Sequence, residues 1–287
     1  MRKLRAIGYR LLRRRDILLH WLGGRRNGEG LLRVLAECAS LPASFKARLR
    51  IRKTEADRGF LVVHFRGLGD PLHFPAEMDA GALYQVIAEL MYRRSWHYYE
   101  IPQTRVLPDD VVADCGAGEG LFSLLVARRC RKVYAVEPLG AFVAAMRRTF
   151  ADLANVEVVP CALGESEGEG IIAEASIASG LGSGLAPGAG RGRRVKVTTL
   201  DSIFARRGVE LSYLKADLEG LEMELLRGGR ETIRRFSPKI AITTYHRKDH
   251  AELIAGFLKE IDGRYRIRVK GIHHPTGAPV MLHAWVP

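Results

Sequence analysis

The sequence has no uninterrupted apolar run approaching the roughly 18 residues that a membrane-crossing helix needs. Near the start, Arg13, Arg14, Arg15 and Asp16 break the apolar positions before a signal core could form. The expected location is therefore the cytoplasm, with peripheral attachment to a membrane left open. Cysteine is scarce. Cys38, Cys115, Cys130 and Cys161 have no metal-ligand spacing and suggest no disulfide framework, so reduced thiols are expected. No internal repeat is present. Acidic residues are rare in one place: residues 1–53 carry fifteen Lys or Arg against three acids, Asp16, Glu29 and Glu37. That segment holds nearly all of the chain's net charge of +13. The asymmetry points to a polyanionic surface as partner, either anionic lipid, an acidic glycolipid or nucleic acid.

What is present reads as two parts, a basic extension over residues 1–105 and a strand–helix alternation over 106–287. Leu4, Ile7, Leu11, Leu18 and Leu22 recur at helical spacing among arginines and stop at Gly23 and Gly24, which predicts a basic amphipathic helix. A short helix is expected over residues 30–39. Phe45, Ala47, Leu49 and Ile51 alternate with Lys46, Arg48, Arg50 and Arg52, which predicts a strand with a basic outer face. Residues 54–59 then turn the chain into a second strand over 60–65, and Asp79 caps a helix running to about Arg94.

From Asp110, strands at 111–115, 132–138, 156–163, 213–217 and 239–245 alternate with helices at 121–129, 141–150, 221–235 and 250–260. Two closing strands follow at 265–270 and 280–285. This order implies an α/β fold with a doubly wound, mostly parallel sheet. A glycine-rich insert interrupts it. Its ends, 171–175 and 194–200, read as paired strands, and its middle as mobile.

The stretch after the first of these strands carries the chemistry. Gly116, Gly118 and Gly120 give G-x-G-x-G, and Leu121 stands where the dinucleotide fingerprint needs its third glycine. Asp114 precedes the loop, where a carboxylate would repel a pyrophosphate and welcome an ammonium. Glu137 ends the next strand, placed to take ribose hydroxyls. S-adenosylmethionine has an ammonium, a ribose and no phosphate. The expected donor-binding set is Asp114, Gly116, Ala117, Gly118, Gly120, Glu137, Pro138, Cys161, Ala162 and Asp217. Cys161 follows Pro160, a pair that serves cytosine methylation as a nucleophile. That pair is expected after the fourth main strand, and here it follows the third, so Cys161 reads as pocket lining.

DCGAGEG, VEP, VVPCALGE, TTLDS, LKADLEGLE and PKIAITTYHRKDH stand in the order and spacing of the FkbM-type methyltransferases, which the chain resembles from about Asp110 to Pro287. LKADLEGLE, with TLD before it, is the most specific block. The resemblance implies a seven-stranded Rossmann-like methyltransferase sheet and S-adenosylmethionine-dependent methylation of a hydroxyl on a carbohydrate, glycolipid or natural product. Glu119 departs from the Asn that many members carry there.

Methylating a hydroxyl calls for alignment and for removal of its proton. His246, after the fifth strand, is the expected base. Asp217 is expected to hold the donor or acceptor, accept a proton or bind a divalent metal, and Lys215 to pair with it. Glu219, His246 and His250 are expected to meet the acceptor, while Glu222 reads as a plain helix residue. Asp201 and Asp249 are expected to cap the helices that follow them, and His273 and His274 to sit in a solvated turn. Two alternatives remain. One is an RNA methyltransferase tracking phosphates with the basic segment, although no aromatic interrupts its face and no Asn-Pro-Pro-Tyr-type motif follows strand four. The other is a non-catalytic membrane or scaffold module that keeps the fold.

Overall fold

A computed structural model describes residues 2–173 and 192–287. The middle of the glycine-rich insert, expected to be mobile, lies outside the described residues. The chain opens with α1 (Arg2–Leu22), α2 (Leu31–Cys38) and α3 (Ala43–Arg50). A three-stranded antiparallel sheet follows, β1 (Ile51–Asp57), β2 (Phe60–Phe65) and β3 (Leu72–Pro75), and then α4 (Ala80–Leu90). Asp79 caps α4 by accepting from the Gly81 N–H at 3.0 Å.

Of the basic strand expected at 45–52, residues 45–50 are a helix instead, and only Ile51 and Arg52 lie in a strand. The helix residues are mostly strong helix formers, Pro42 stands at the helix start, and the β-branched Ile51 and Thr54 come only afterwards. Only Ala47 is buried; Phe45 and Leu49 are about half exposed. The Arg50 guanidinium stacks 4.9 Å over Tyr92 and donates to the Met91 carbonyl. The hairpin exists, with its first strand moved along by six residues. Arg58 and Gly59, both with positive φ, form the two-residue turn that pairs Asp57 with Phe60. Strand β3 was not anticipated.

The main sheet has seven strands: β4 (Val111–Cys115), β5 (Lys132–Val136), β6 (Val156–Val159), β10 (Tyr213–Ala216), β11 (Lys239–Thr243), β12 (Arg266–Lys270) and β13 (Met281–Trp285). Their order is β12-β13-β11-β10-β4-β5-β6, parallel except that β13 runs antiparallel to both its neighbours. Every residue of β4 is buried, as a central strand covered on both faces requires. The expected third strand ends at Val159, and β7 (Ala162–Leu163) leaves to join β8 (Gly168–Ala173) and β9 (Gly192–Thr198) in a separate small sheet.

Helices α5 (Leu121–Ala127) and α6 (Gly140–Thr149) share a core with the N-terminal sheet on one face. Phe65, Leu72, Leu83 and Tyr99 pack there with Val112, Phe122 and Met146. The other face packs on α8 (Glu222–Arg227), α9 (Arg230–Phe236) and α10 (His250–Ile261). The single helix expected at 221–235 is divided by Gly228 and Gly229, two poor helix formers in succession. The short α7 (Leu200–Ile203) is capped by Thr199, which accepts from the Ser202 N–H. Asp201 caps a more distant helix, accepting from the Glu231 and Thr232 N–H groups at the start of α9. Asp249 precedes α10 but makes no side-chain cap bond. The sheet order reverses between β4 and β10, so a crevice opens beyond the carboxyl ends of those strands.

Candidate active site

The glycine loop is shaped by a close approach. Gly116 has a φ of +70°, and a Cβ there would lie 2.0 Å from the Asp217 carbonyl oxygen, so only glycine lets the loop pass the end of β10. The Gly116 and Ala117 N–H groups both donate to the Val136 carbonyl at 3.0 Å. Gly118 N–H donates to Glu137 Oε2 at 3.0 Å, and Leu139 N–H to its Oε1 at 2.9 Å. The carboxylate is thereby held at the end of β5. Burial pushes the Glu137 pKa up to about 7, against the pull of those two N–H groups and of Lys215. Glu119, also buried, is raised to about 7 for the same reason.

Asp114 stands near the end of β4, as expected, but its partners are internal. It is fully buried, accepts from the Ser123 hydroxyl at 2.7 Å, and lies 2.9 Å from Lys215 Nζ. Lys215 pairs with Asp114 rather than with Asp217, and it also donates to the Gly116 carbonyl at 2.6 Å. Burial lowers the lysine's pKa, but Asp114 and then Asp217 more than offset this and hold it raised. Both groups therefore brace the loop from beneath. Neither presents an open face to a donor ammonium or an acceptor.

Beside the loop, Val136, Pro138, Cys161, Ala162, Leu163 and Leu218 line an apolar pocket with Gly116. Its composition suits a flat heteroaromatic ring. The Cys161 thiol is pushed up to about 11 by burial, so it is a lining group and no thiolate nucleophile.

Asp217, Glu219 and His246 converge from the ends of β10 and β11, with one potential ligand atom of each lying within 4.8 Å of the others. Tyr99 donates to Asp217 Oδ2 at 2.7 Å and Thr243 donates to Oδ1 at 3.1 Å. Glu219 has a left-handed backbone, φ 52°, and its carboxyl pKa is raised, chiefly by burial. His246 Nδ1 lies 2.8 Å from Glu222 Oε1. Its Nε2 faces Glu219 Oε2 at 3.4 Å and Asp217 Oδ1 at 3.7 Å. Burial lowers the His246 pKa, but the hydrogen bond to Glu222 and the charge of Asp217 override it and push it up to about 9. This alters the expected base role, because the unliganded imidazole keeps its proton at neutral pH.

Glu222, expected to be a plain helix residue, is the hub. Its Oε1 accepts from Leu218 N–H at 3.1 Å as well as meeting His246, and Oε2 lies 3.2 Å from His250 Nδ1. His250 is fully buried and braces Glu222, so it does not reach an acceptor. Tyr99 and Thr243 were also missed, although LKADLEGLE singled out the segment around Glu222. His273 is partly buried, not solvated. Its ring lies 4.9 Å from Tyr245, itself 4.3 Å from His246.

A glycine loop at the switch point of a doubly wound sheet, an acid at the next strand end and an apolar ring pocket define a nucleoside-binding α/β enzyme of the class I methyltransferase type. The profile of the FkbM methyltransferase domain matches residues 114–265, more than half the chain, and the protein belongs to that family of S-adenosylmethionine-dependent methyltransferases. No curated protein sequence matches it. Among solved structures, an FkbM methyltransferase from Methylobacillus flagellatus KT is similar over 73% of this chain and 56% of its own, at 19% identity and a TM-score of 0.50. The present chain thus spans just over half the length of that protein. An rRNA methylase from Streptococcus thermophilus aligns over 62% of this chain and 87% of its own, at 14% identity and a TM-score of 0.41. A putative methyltransferase from Streptococcus mutans, in complex with SAH, aligns over 63% and 90%, at 12% identity and a TM-score of 0.40.

Proposed function

We propose that the protein is an O-methyltransferase that transfers a methyl group to a hydroxyl of a carbohydrate, glycolipid or natural-product acceptor. The observation that carries this reading is the meeting of Asp217, Glu219 and His246 next to Leu218, which lines the ring pocket together with Gly116. Val136, Pro138, Cys161, Ala162 and Leu163 fit the adenine ring, and Glu137 the ribose. When bound, S-adenosylmethionine supplies an electrophilic methyl carbon: the acceptor oxygen bonds to it, the electron pair of the broken C–S bond stays on sulfur, and the hydroxyl proton is released. The three polar residues orient the hydroxyl and receive or relay that proton. Asp114 and Lys215 keep the loop in place. Transfer of labelled methyl from the donor to a panel of hydroxylated glycans and glycolipids tests the reading. Labelling confined to RNA would replace it with the RNA alternative.

The role given to Glu137 has a pH signature. Ribose hydroxyls donate to a carboxylate, so the donor product S-adenosylhomocysteine binds the ionised form. With a folded pKa of about 7, that form is about a tenth of the total at pH 6 and about nine-tenths at pH 8. The charges that act on it are Lys215, which lowers its pKa, and Asp114, which raises it. Affinity is expected to tighten about tenfold between pH 6 and pH 8, with Glu137→Gln losing the dependence and Glu119→Gln retaining it. A flat calorimetric profile for the unaltered protein would remove Glu137 from ribose binding.

The N-terminal segment supports an anionic membrane as the surface on which the acceptor is met. Of thirteen exposed large apolar side chains among the described residues, eleven lie between Tyr9 and Leu49, including Leu22 at 70% and Leu32 at 84% exposure. They are interspersed with the basic residues of 1–53. Apolar insertion and charge attraction then act together. Binding to phosphatidylserine vesicles is expected to weaken at least about tenfold in the Leu22→Asp/Leu32→Asp protein, and to fall with salt. Equal sedimentation of altered and unaltered protein would rule out this docking. Among the described residues no helix is long and apolar enough to cross a membrane.

A further inference from the structure

His246 carries a ring nitrogen with no hydrogen-bond partner. Its side chain is nine-tenths buried, and Nε2 makes no hydrogen bond. Meanwhile Nδ1 is engaged by Glu222 at 2.8 Å, the arrangement in which a carboxylate fixes the tautomer of a metal-binding imidazole and turns its other nitrogen outward. What Nε2 faces is a pair of carboxylate oxygens, at 3.4 Å on Glu219 and 3.7 Å on Asp217. Two ligands each about 2.1 Å from one ion at ordinary angles lie about 3.0–3.6 Å apart. The two separations from Nε2 therefore stand at the edge of that range, and all three potential ligand atoms lie within 4.8 Å of one another. The Asp217 carboxylate is oriented by Tyr99 and Thr243, whose hydroxyls donate to it and leave further oxygen lone pairs available.

We propose that Asp217, Glu219 and His246 form a binding site for one divalent first-row cation, with Glu222 as the residue that orients His246. One nitrogen with two carboxylates suits Mn2+, Fe2+, Co2+ or Zn2+ better than Ca2+. Three protein ligands leave positions free for water or an acceptor hydroxyl. The site deepens the hydroxyl-methylation reading and rests on it only for its purpose: a cation here lowers the pKa of a bound hydroxyl at the place where the acceptor is expected. Cation binding itself is independent of that reading.

The experiment is titration of the full chain with Mn2+ alone, followed through the electron paramagnetic resonance signal of the free ion. S-adenosylhomocysteine affinity is measured in parallel as the check on folding. One bound Mn2+ per chain is expected. Affinity should fall at least tenfold in both His246→Gln and Glu219→Gln, with donor-product affinity unchanged. No Mn2+ binding by the unaltered protein, or binding equally tight in both variants, overturns the proposal. The two readings fail separately. Hydroxyl methylation that persists at full rate in chelator removes the cation's role and leaves the O-methyltransferase reading standing. Specific Mn2+ binding without methylation of any hydroxyl acceptor does the reverse.

Discussion

His246→Ala is expected to lower methyl-transfer turnover by about 10²–10⁴-fold while leaving affinity for S-adenosylhomocysteine within about twofold. The separation follows from position. The ring pocket is built from residues at the ends of β5 and β6 with Leu218, whereas His246 stands at the end of β11 against Asp217 and Glu219. An interaction that forms only as the hydroxyl reacts affects the rate and spares donor binding. The loss is expected whether Nε2 relays a proton or holds a cation that does the same work. Stopped assays at saturating donor, set beside calorimetry, measure the two quantities. Equal losses in both would make His246 a scaffold residue, and unchanged turnover would remove it from the reaction.

Lys215→Met should destabilise the protein by about 3–5 kcal/mol, because it strands the Asp114 carboxylate in a fully buried position with only Ser123 for company. The Gly116 carbonyl loses its 2.6 Å donor in the same change. Asp114→Asn leaves the opposite charge unpaired and should cost a similar amount. The double variant should recover much of the loss, since the ion pair's worth lies mainly in not leaving one partner alone. Urea unfolding of the four proteins gives the cycle. A loss below about 1 kcal/mol in Lys215→Met would show that the pair is solvated or dispensable.

The sheet was legible because its strands are apolar runs bounded by Gly, Pro and acidic positions, and the order of strands and helices admits few topologies. The loop was legible from its glycines. The partners of the polar residues were not. Asp114, Lys215 and Asp217 sit at alternating or neighbouring positions that make several pairings equally reasonable on paper. What decides is the register, which sets Lys215 opposite Asp114 across β10 and β4. Glu222 gave little sign of its place because an acid in the first turn of a helix needs no further explanation. Only the fold brings His246 and His250 onto it. Tyr99 lies outside every motif and reaches Asp217 across 118 positions of sequence. The error at 45–52 arose because eight alternating residues satisfy a strand, while Ala, Lys, Arg and Leu satisfy a helix better, and no buried neighbour in the sequence itself arbitrates.

The crevice beside Gly116 is the proposed site of S-adenosylmethionine. Calorimetric titration of the purified chain with S-adenosylhomocysteine and, separately, NAD tests it most directly. Micromolar binding of the first is expected, with no binding of NAD and weakened binding in Glu137→Gln. Binding of NAD alone, or of neither ligand by protein shown to be folded, would contradict it.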